Sequence, residues 1–322
     1  MKVDRFVIAI VFSILLAYFF PEPGNPESPL PLDTVSSIGI SLIFLFYGMK
    51  LSTAELMRGL VNWKLHLLVQ ATTFVVFPLV VLAAYPFIFG EKQQTIWLSF
   101  LFLAALPSTV SSSVVMVSMA RGNVPGAIFN ASISGIIGIA ITPLWIAPFL
   151  SSQQTSVDTA GIYTGLLLEI VLPLAIGLAL RRWLGQLAQR NSKYLSLFDK
   201  AVILLIVYKS FAHSFIAGVF KGIAWLDIGV MALLVIALFY LIYGFTGFVG
   251  RKIGLDTEDR IAAQFCGTKK SLVHGTVFSS ALFGNSGSVG LLLLPLMVFH
   301  ALQILIISII ATKLAQRTDI KG

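Results

Sequence analysis

The chain has 322 residues, 57% of them hydrophobic and 11% charged, with a formal net charge of +8 and a mean hydropathy of +0.93. A soluble protein of this length needs far more polar surface to cover its core, so a soluble globular fold is excluded and an integral membrane protein is expected. A single cysteine excludes a disulfide framework, and no Cys/His cluster has metal-ligand spacing, so no cofactor or structural metal is expected.

Apolar runs long enough to cross a bilayer, about 17 to 25 residues each, fall near 4–20, 33–50, 63–88, 95–119, 124–150, 160–182, 200–220, 223–250, 261–283 and 287–313. They predict an all-α polytopic membrane protein with ten transmembrane helices and short connections. The first run, behind Met1-Lys2-Val3-Asp4-Arg5, has the charged start and short apolar stretch of a signal peptide. No small-x-small cleavage site precedes Pro21-Glu22-Pro23-Gly24, however, and a retained first span is the expectation. Lys and Arg concentrate in alternate loops, as at Arg181-Arg182 and Arg251-Lys252, while only Lys92 and Lys221 lie on the other side. That bias predicts both termini on the cytoplasmic side of the membrane. The positive charge thus reports topology, and the lipid bilayer rather than nucleic acid is the expected partner.

Span 4 carries Leu106-Pro107-Ser108-Thr109-Val110-Ser111-Ser112-Ser113. Pro107 removes a backbone donor and disrupts the helix around it. Non-helical backbone at that depth is tolerated only where protein buries it or where it lines a cavity. Ser108, Thr109, Ser112 and Ser113 are therefore candidate ligands, the alternative being a Ser-rich stretch that packs helices closely. In span 5, Asn130, Ser134 and Gly138 recur at four-residue spacing, which suits close packing; Asn130 is also a candidate oxygen ligand. Glu169, the only carboxylate deep within a span, precedes Pro173 on span 6 and reads either as a proton carrier or counter-ion, or as a structural carboxylate beside a kink. Lys209 on span 7 is either a cavity cation or a side chain snorkelling from a helix end.

Span 9 holds Cys266-Gly267-Thr268-Lys269-Lys270-Ser271-Leu272-Val273-His274. A lysine at mid-bilayer costs ~2.5–3.5 kcal/mol even on lenient insertion scales, so such groups normally face a partner or a water-filled cavity on a substrate or ion path. Thr268, Lys269, Lys270 and Ser271 are candidate binding residues. His274 shares their face if helix resumes, and reads either as a ligand or, like His300, as a hydrogen-bonded core histidine. Five spans plus five, joined near 151–159, is the arithmetic of two inverted five-helix repeats, since an odd-numbered unit reverses its own topology when duplicated. In one gapless register Thr109 pairs with Thr268 and Ser112 with Ser271, and Pro143-Leu144 matches Pro295-Leu296.

With these motifs the chain resembles the bile acid:sodium symporter superfamily over all its spans. The anchors are Leu106-Pro107-Ser108-Thr109 with Ser113, Ala120-Arg121-Gly122-Asn123-Val124, Asn130-Ala131-Ser132 and Thr142-Pro143-Leu144. Cys266-Gly267-Thr268-Lys269-Lys270-Ser271-Leu272 and Leu294-Pro295-Leu296-Met297-Val298-Phe299-His300 resemble the YfeH-like bacterial branch, which includes the seventh member of human solute carrier family 10. The resemblance implies panel helices in 1–60 and 160–222, core helices in 61–150 and 223–313, and a cytoplasmic tail at 314–322. It also implies that broken helices 4 and 9 cross at mid-membrane, where two sodium ions drive uptake of organic anions.

The chain departs from that pattern at the ion sites. Aligned on Ser271, the glutamate of the family's span 9 motif falls at Phe265, and Lys269 and Lys270 take its Gln-Asn positions. The span 4 Ser-Asn pair falls on Ser113 and Val114, and the span 3 glutamine falls at Thr73, with Gln70 one turn earlier. Replacing a carboxylate by phenylalanine while adding ammonium groups inverts the local field. The expectation is that a lysine ammonium fills the crossover as a tethered cation, leaving transport uncoupled from sodium or coupled to protons through a lysine. The function expected is secondary transport of a small organic anion by alternating access. A non-transporting regulator of ion homeostasis with a transporter fold is the rival. No nucleotide-binding or hydrolase motif is present, so neither ATP-driven transport nor an enzyme is expected.

Overall fold

The computed structural model describes residues 5–25, 28–50, 62–109, 111–150, 164, 167–222, 224–283 and 289–317. The expected repeat junction at 151–159, Val110 of the span 4 motif and residues 318–322 of the expected cytoplasmic tail lie outside the described residues. Among the described residues the regular structure is entirely helical. Among the described residues, five segments are long and apolar enough to cross a membrane by length and composition: Leu32–Lys50, Trp63–Phe87, Val124–Phe149, Leu226–Lys252 and Val289–Ala315.

The chain forms two compact units. The first comprises Met1–Leu51, Ala147–Trp225 and Val273–Leu294. Its helices include α1 (Arg5–Phe19) and α2 (Leu32–Lys50). The second comprises Ser52–Ile146, Leu226–Leu272 and Pro295–Gly322. It contains α3 (Trp63–Ala71), α4 (Phe77–Leu82), α5 (Glu91–Ala105), α6 (Ser111–Met119) and most of α7 (Val124–Leu150). The first unit adds α8 (Leu172–Arg190) and α9 (Ser192–Ile216); the second adds α10 (from Trp225 to Lys252) and α11 (Thr257–Thr268). Helix α12 (Leu272–Phe283) falls almost wholly in the first unit, and α13 (Val289–Ala315) passes from the first to the second at its internal Pro295.

In the first unit, α2 and α8 touch backbone to backbone. A Cβ on Gly177 would sit 2.2 Å from the Leu45 carbonyl oxygen, and one on Gly48 would sit 2.5 Å from that of Leu174. Small residues let helices approach this closely where apolar solvent supplies little drive for association. Ser13 Oγ on α1 donates to Leu204 O on α9 at 2.9 Å. Lys209 pairs with Asp33 at the start of α2, so its side chain answers a carboxylate within its own unit. Glu169 sits half-buried in a π-helical turn, Leu167–Val171, just ahead of Pro173. His274 is 7% exposed and meets Phe44, Tyr47 and Phe278 edge-on, with ring centroids 5.8–6.1 Å apart.

The second unit shows two helix ends built alike from different residues. After α10, the Leu255 amide bonds Gly250 O and the Gly254 amide bonds Arg251 O, with Gly254 at φ 79°. This is the usual left-handed glycine stop. After α6 the same pair of bonds runs from Gly122 to Val117 O and from Arg121 to Ser118 O, but Arg121 takes the left-handed place at φ 52°. Glycine is one position late because Gly122 lies against α11, where a Cβ would come 2.7 Å from Ile261 Cγ2. Arg317 braces this turn. Its guanidinium donates to Ala120 O, to Arg121 O at 2.7 Å and to Glu258 Oε1 at 3.1 Å. Beside it, the buried Asp259 carboxylate accepts from the Asn62 and Asn123 side-chain amides.

Candidate functional site

Both anticipated breaks are present in the second unit. Helix α5 stops at Ala105, and Leu106 is extended (φ −71°, ψ 151°), as the residue before a proline prefers. Helix α11 stops at Thr268, and Lys269 is likewise extended (φ −73°, ψ 144°). The two breaks join directly, since the Ser271 amide donates to Pro107 O at 2.9 Å.

Helix α7 supports the α5 break with residues one turn apart. Ser134 Oγ accepts from the Ser108 amide at 3.0 Å, Thr142 Oγ1 donates to Ala105 O at 2.8 Å, and Gly138 leaves room for the Pro107 ring, whose Cγ would lie 2.8 Å from a Cβ there. Thus Ser134 and Gly138 do more than thin the helix. Ser134 answers a backbone donor that the break exposes.

A helix C-terminus leaves carbonyls without intrahelical donors. At the α5 break freed carbonyls find partners on other elements: Ala105 O takes the Thr142 hydroxyl and Pro107 O takes the Ser271 amide. Ala104 O has lost its usual donor, the Ser108 amide, to Ser134. It accepts Lys270 Nζ at 2.6 Å, and Leu106 O accepts the same ammonium at 2.8 Å. The third proton goes to Thr73 O at 2.9 Å.

Thr73 O is available because α3 and α4 are joined by a π-helical turn, Thr72–Val76. There the Phe77 amide bonds Thr72 O, one residue early, and Pro78 has no amide to offer. The neighbouring Phe74 O is met by Trp145 Nε1 at 2.8 Å. π-Turns of this kind concentrate at functional sites.

Lys270 therefore sits in a shell of three carbonyl oxygens that uses all three ammonium protons. Its Nζ also lies 4.2 Å from the Phe77 ring centroid. The negative end of the α5 macrodipole and the ring face both favour a cation here. Lys270, Thr73, Phe77, Ala104 and Leu106 all have zero exposure. Among the described residues neither Lys269 nor Lys270 has a carboxylate partner. Gln303 on α13 fixes the extended segment between α11 and α12. Its Oε1 accepts the Lys270 amide at 2.8 Å, its Nε2 donates to Lys270 O at 2.9 Å, and Nε2 also lies 3.0 Å from His300 Nδ1.

Lys269, also at zero exposure, turns to a different shell. Its Nζ donates to Ser112 Oγ at 2.6 Å, Ser112 Oγ donates to Thr109 Oγ1 at 3.1 Å, and Thr109 Oγ1 meets Ser113 Oγ at 3.1 Å. Of the residues singled out from sequence, Lys269, Thr109, Ser112 and Ser113 thus form one chain, while Lys270, Ser271 and Ser108 engage through the backbone at the break. Thr268 Oγ1 and Ser108 Oγ are buried and have no hydrogen-bond partner among the described residues. Asn130 stands apart. It bonds Gly126 O and His66 Nδ1, and accepts from Gln70 Nε2. Glu169 and His274 belong to the first unit. Sequence reading missed Gln303, Trp145 and Phe77. Gln303 had a signal in its lone amide, one turn after His300 in an otherwise apolar run.

The sequence model of the SBF-like CPA transporter family matches residues 4–316. An uncharacterised Pseudomonas aeruginosa protein is 37% identical over 316 residues, covering 98% of this chain and 94% of the relative. YfeH of Escherichia coli (strain K12), provisionally designated a symporter, is 32% identical over 321 residues, covering 98% and 94%. Sodium/bile acid cotransporter 7 of Xenopus tropicalis is 31% identical over 316 residues, covering 96% and 91%.

Proposed function

The chain belongs to the SBF-like CPA transporter family, and from that premise we propose that it is a secondary transporter carrying a small organic anion by alternating access, with the Lys270 ammonium in place of a coupling sodium ion. One observation carries this reading: three carbonyl oxygens at 2.6–2.9 Å surround Lys270 Nζ where the two helix breaks meet. Converging carbonyls at such distances are what a monovalent cation seeks on leaving water. Here a covalently attached cation already has them. A sodium ion in the same shell would be repelled by the ammonium by several kcal/mol at intermediate dielectric. The cotransporter naming of relatives supports transport as the activity, and the loss of carboxylate at Phe265 supports independence from sodium.

In this reading the ten spans form two inverted five-span repeats, with both termini on the cytoplasmic side of a bacterial inner membrane. The anion's charge is met by Lys269 and by the N-terminus of α6. The test is a thermal-unfolding screen of purified protein against a panel of carboxylates, sulfonates and phosphates, followed by uptake of the best stabiliser into proteoliposomes. At least one anion is expected to raise the unfolding temperature in sodium-free buffer and to be taken up. A panel in which only organic cations or neutral solutes stabilise and cross would overturn the assignment.

A further inference from the structure

The two adjacent lysines have shells of opposite character, and that difference divides their roles. Among the described residues, every polar partner of the Lys270 ammonium is a backbone carbonyl, which can only accept. A neutral amine there would leave one buried carbonyl without a donor, so this shell suits the ammonium alone. Around Lys269 the partner is a hydroxyl, the first of a chain of three on and just before α6. A hydroxyl accepts or donates by rotating about its C–O bond. With Lys269 charged, donation runs from Nζ to Ser112, Thr109 and Ser113. With Lys269 neutral, the chain reverses: Ser113 donates to Thr109, Thr109 to Ser112, and Ser112 to the amine lone pair. In both protonation states Lys269 Nζ keeps its hydrogen bond to Ser112 without moving the backbone.

Access to a proton donor differs as well. The Lys270 cage is fully buried, whereas Ser112 is partly exposed. Among the described residues, the titratable groups on the surrounding helices are engaged elsewhere. Cys266 lies one turn earlier on α11, its Sγ directed at Ala127 O. Helices α6 and α7 carry no titratable side chain. His66 on α3 bonds Asn130, His300 on α13 bonds Gln303, and Tyr243 on α10 lies against Phe265. Lys270, the nearest charge, points its ammonium into its own cage.

Resting on the transporter reading above, we infer that Lys269 is the proton-carrying residue of the cycle, exchanging one proton with water through Ser112 while Lys270 keeps a fixed charge. The step is an acid–base exchange, Lys269 ammonium to Lys269 amine plus a proton released by way of the Ser112 hydroxyl.

The probe is the proton itself. Full-length protein in proteoliposomes on a solid-supported membrane is given pH jumps and, separately, sodium jumps at constant pH. Wild type is expected to show a saturable charge displacement after a pH jump. K269Q, whose amide can bond Ser112 in either sense, and K269R, whose charge is fixed, are expected to lose it. S112A, which keeps both lysines, is expected to reduce it severalfold, and serves if either Lys269 variant fails to elute as a folded species. No displacement in wild type, or an unchanged one in K269Q or S112A, would overturn the inference. A sodium-driven displacement in wild type would count against the tethered-cation reading alone, because it leaves the pH-jump comparison intact.

Discussion

Replacing Lys270 by methionine is expected to lower the unfolding free energy by about 3–5 kcal/mol, the range found when one partner of a buried charge interaction is removed. Two effects oppose each other. Methionine has similar length and relieves the desolvation of a buried ammonium, which is several kcal/mol in the variant's favour. Against this, three buried carbonyls lose their donor, at about 1–3 kcal/mol each. They have no ready substitute: the Ser108 amide serves Ser134, Phe77 bonds Thr72 O, and Pro78 carries no amide. The loss of the contact to the Phe77 ring adds to the deficit. The carbonyl term is the larger, so K270M should unfold at a much lower temperature in detergent. K269M leaves only hydroxyls that can rebond among themselves, so the single net hydrogen bond it loses, about 1 kcal/mol, is offset by the same relief of desolvation, and K269M should unfold close to the wild-type temperature or above it. Equal losses for the two variants would contradict the division of roles.

Gln303 to leucine is the second large effect expected, about 2–4 kcal/mol. The substitution keeps the side chain's bulk but strips a donor from Lys270 O and an acceptor from the Lys270 amide, both buried beside an extended segment with no helical partners. Because Gln303 holds the backbone of Lys270 rather than its ammonium, Q303L should also blur the carbonyl cage without changing its charge. A double-mutant cycle with K270M, read by thermal unfolding, should therefore be non-additive, since the residues share one network. Strict additivity would show that Gln303 acts on α13 alone.

Much of this site was legible in the chain. Pro107 with its Ser/Thr run marked one break, and two lysines inside an apolar run marked the other, because a proline and a buried charge carry their cost locally. The resemblance of these motifs also pointed to the family that the whole-chain match confirms. What sequence did not reveal was the pairing. Thr73 matters through its carbonyl, released by a π-turn that no spacing of side chains announces. Asn130 was weighed as a ligand for the site, yet its side chain serves His66 and Gln70. Lys209 reads in sequence as a cavity cation or a side chain snorkelling from a helix end, and in the fold an aspartate 176 positions earlier is its partner. Each is a contact between distant stretches, which local patterning does not encode.

The most direct test of the tethered cation is the thermal stability of the purified wild-type protein in sodium buffer against choline or potassium buffer. A ligand that binds only the folded state adds ~2.7 kcal/mol at 100 times its dissociation constant, so genuine sodium sites would be plain to see. With Lys270 occupying the carbonyl cage, the unfolding temperature should be the same in all three salts. A clear rise that is specific to sodium would mean that ion sites persist beside the lysines, and would contradict the account.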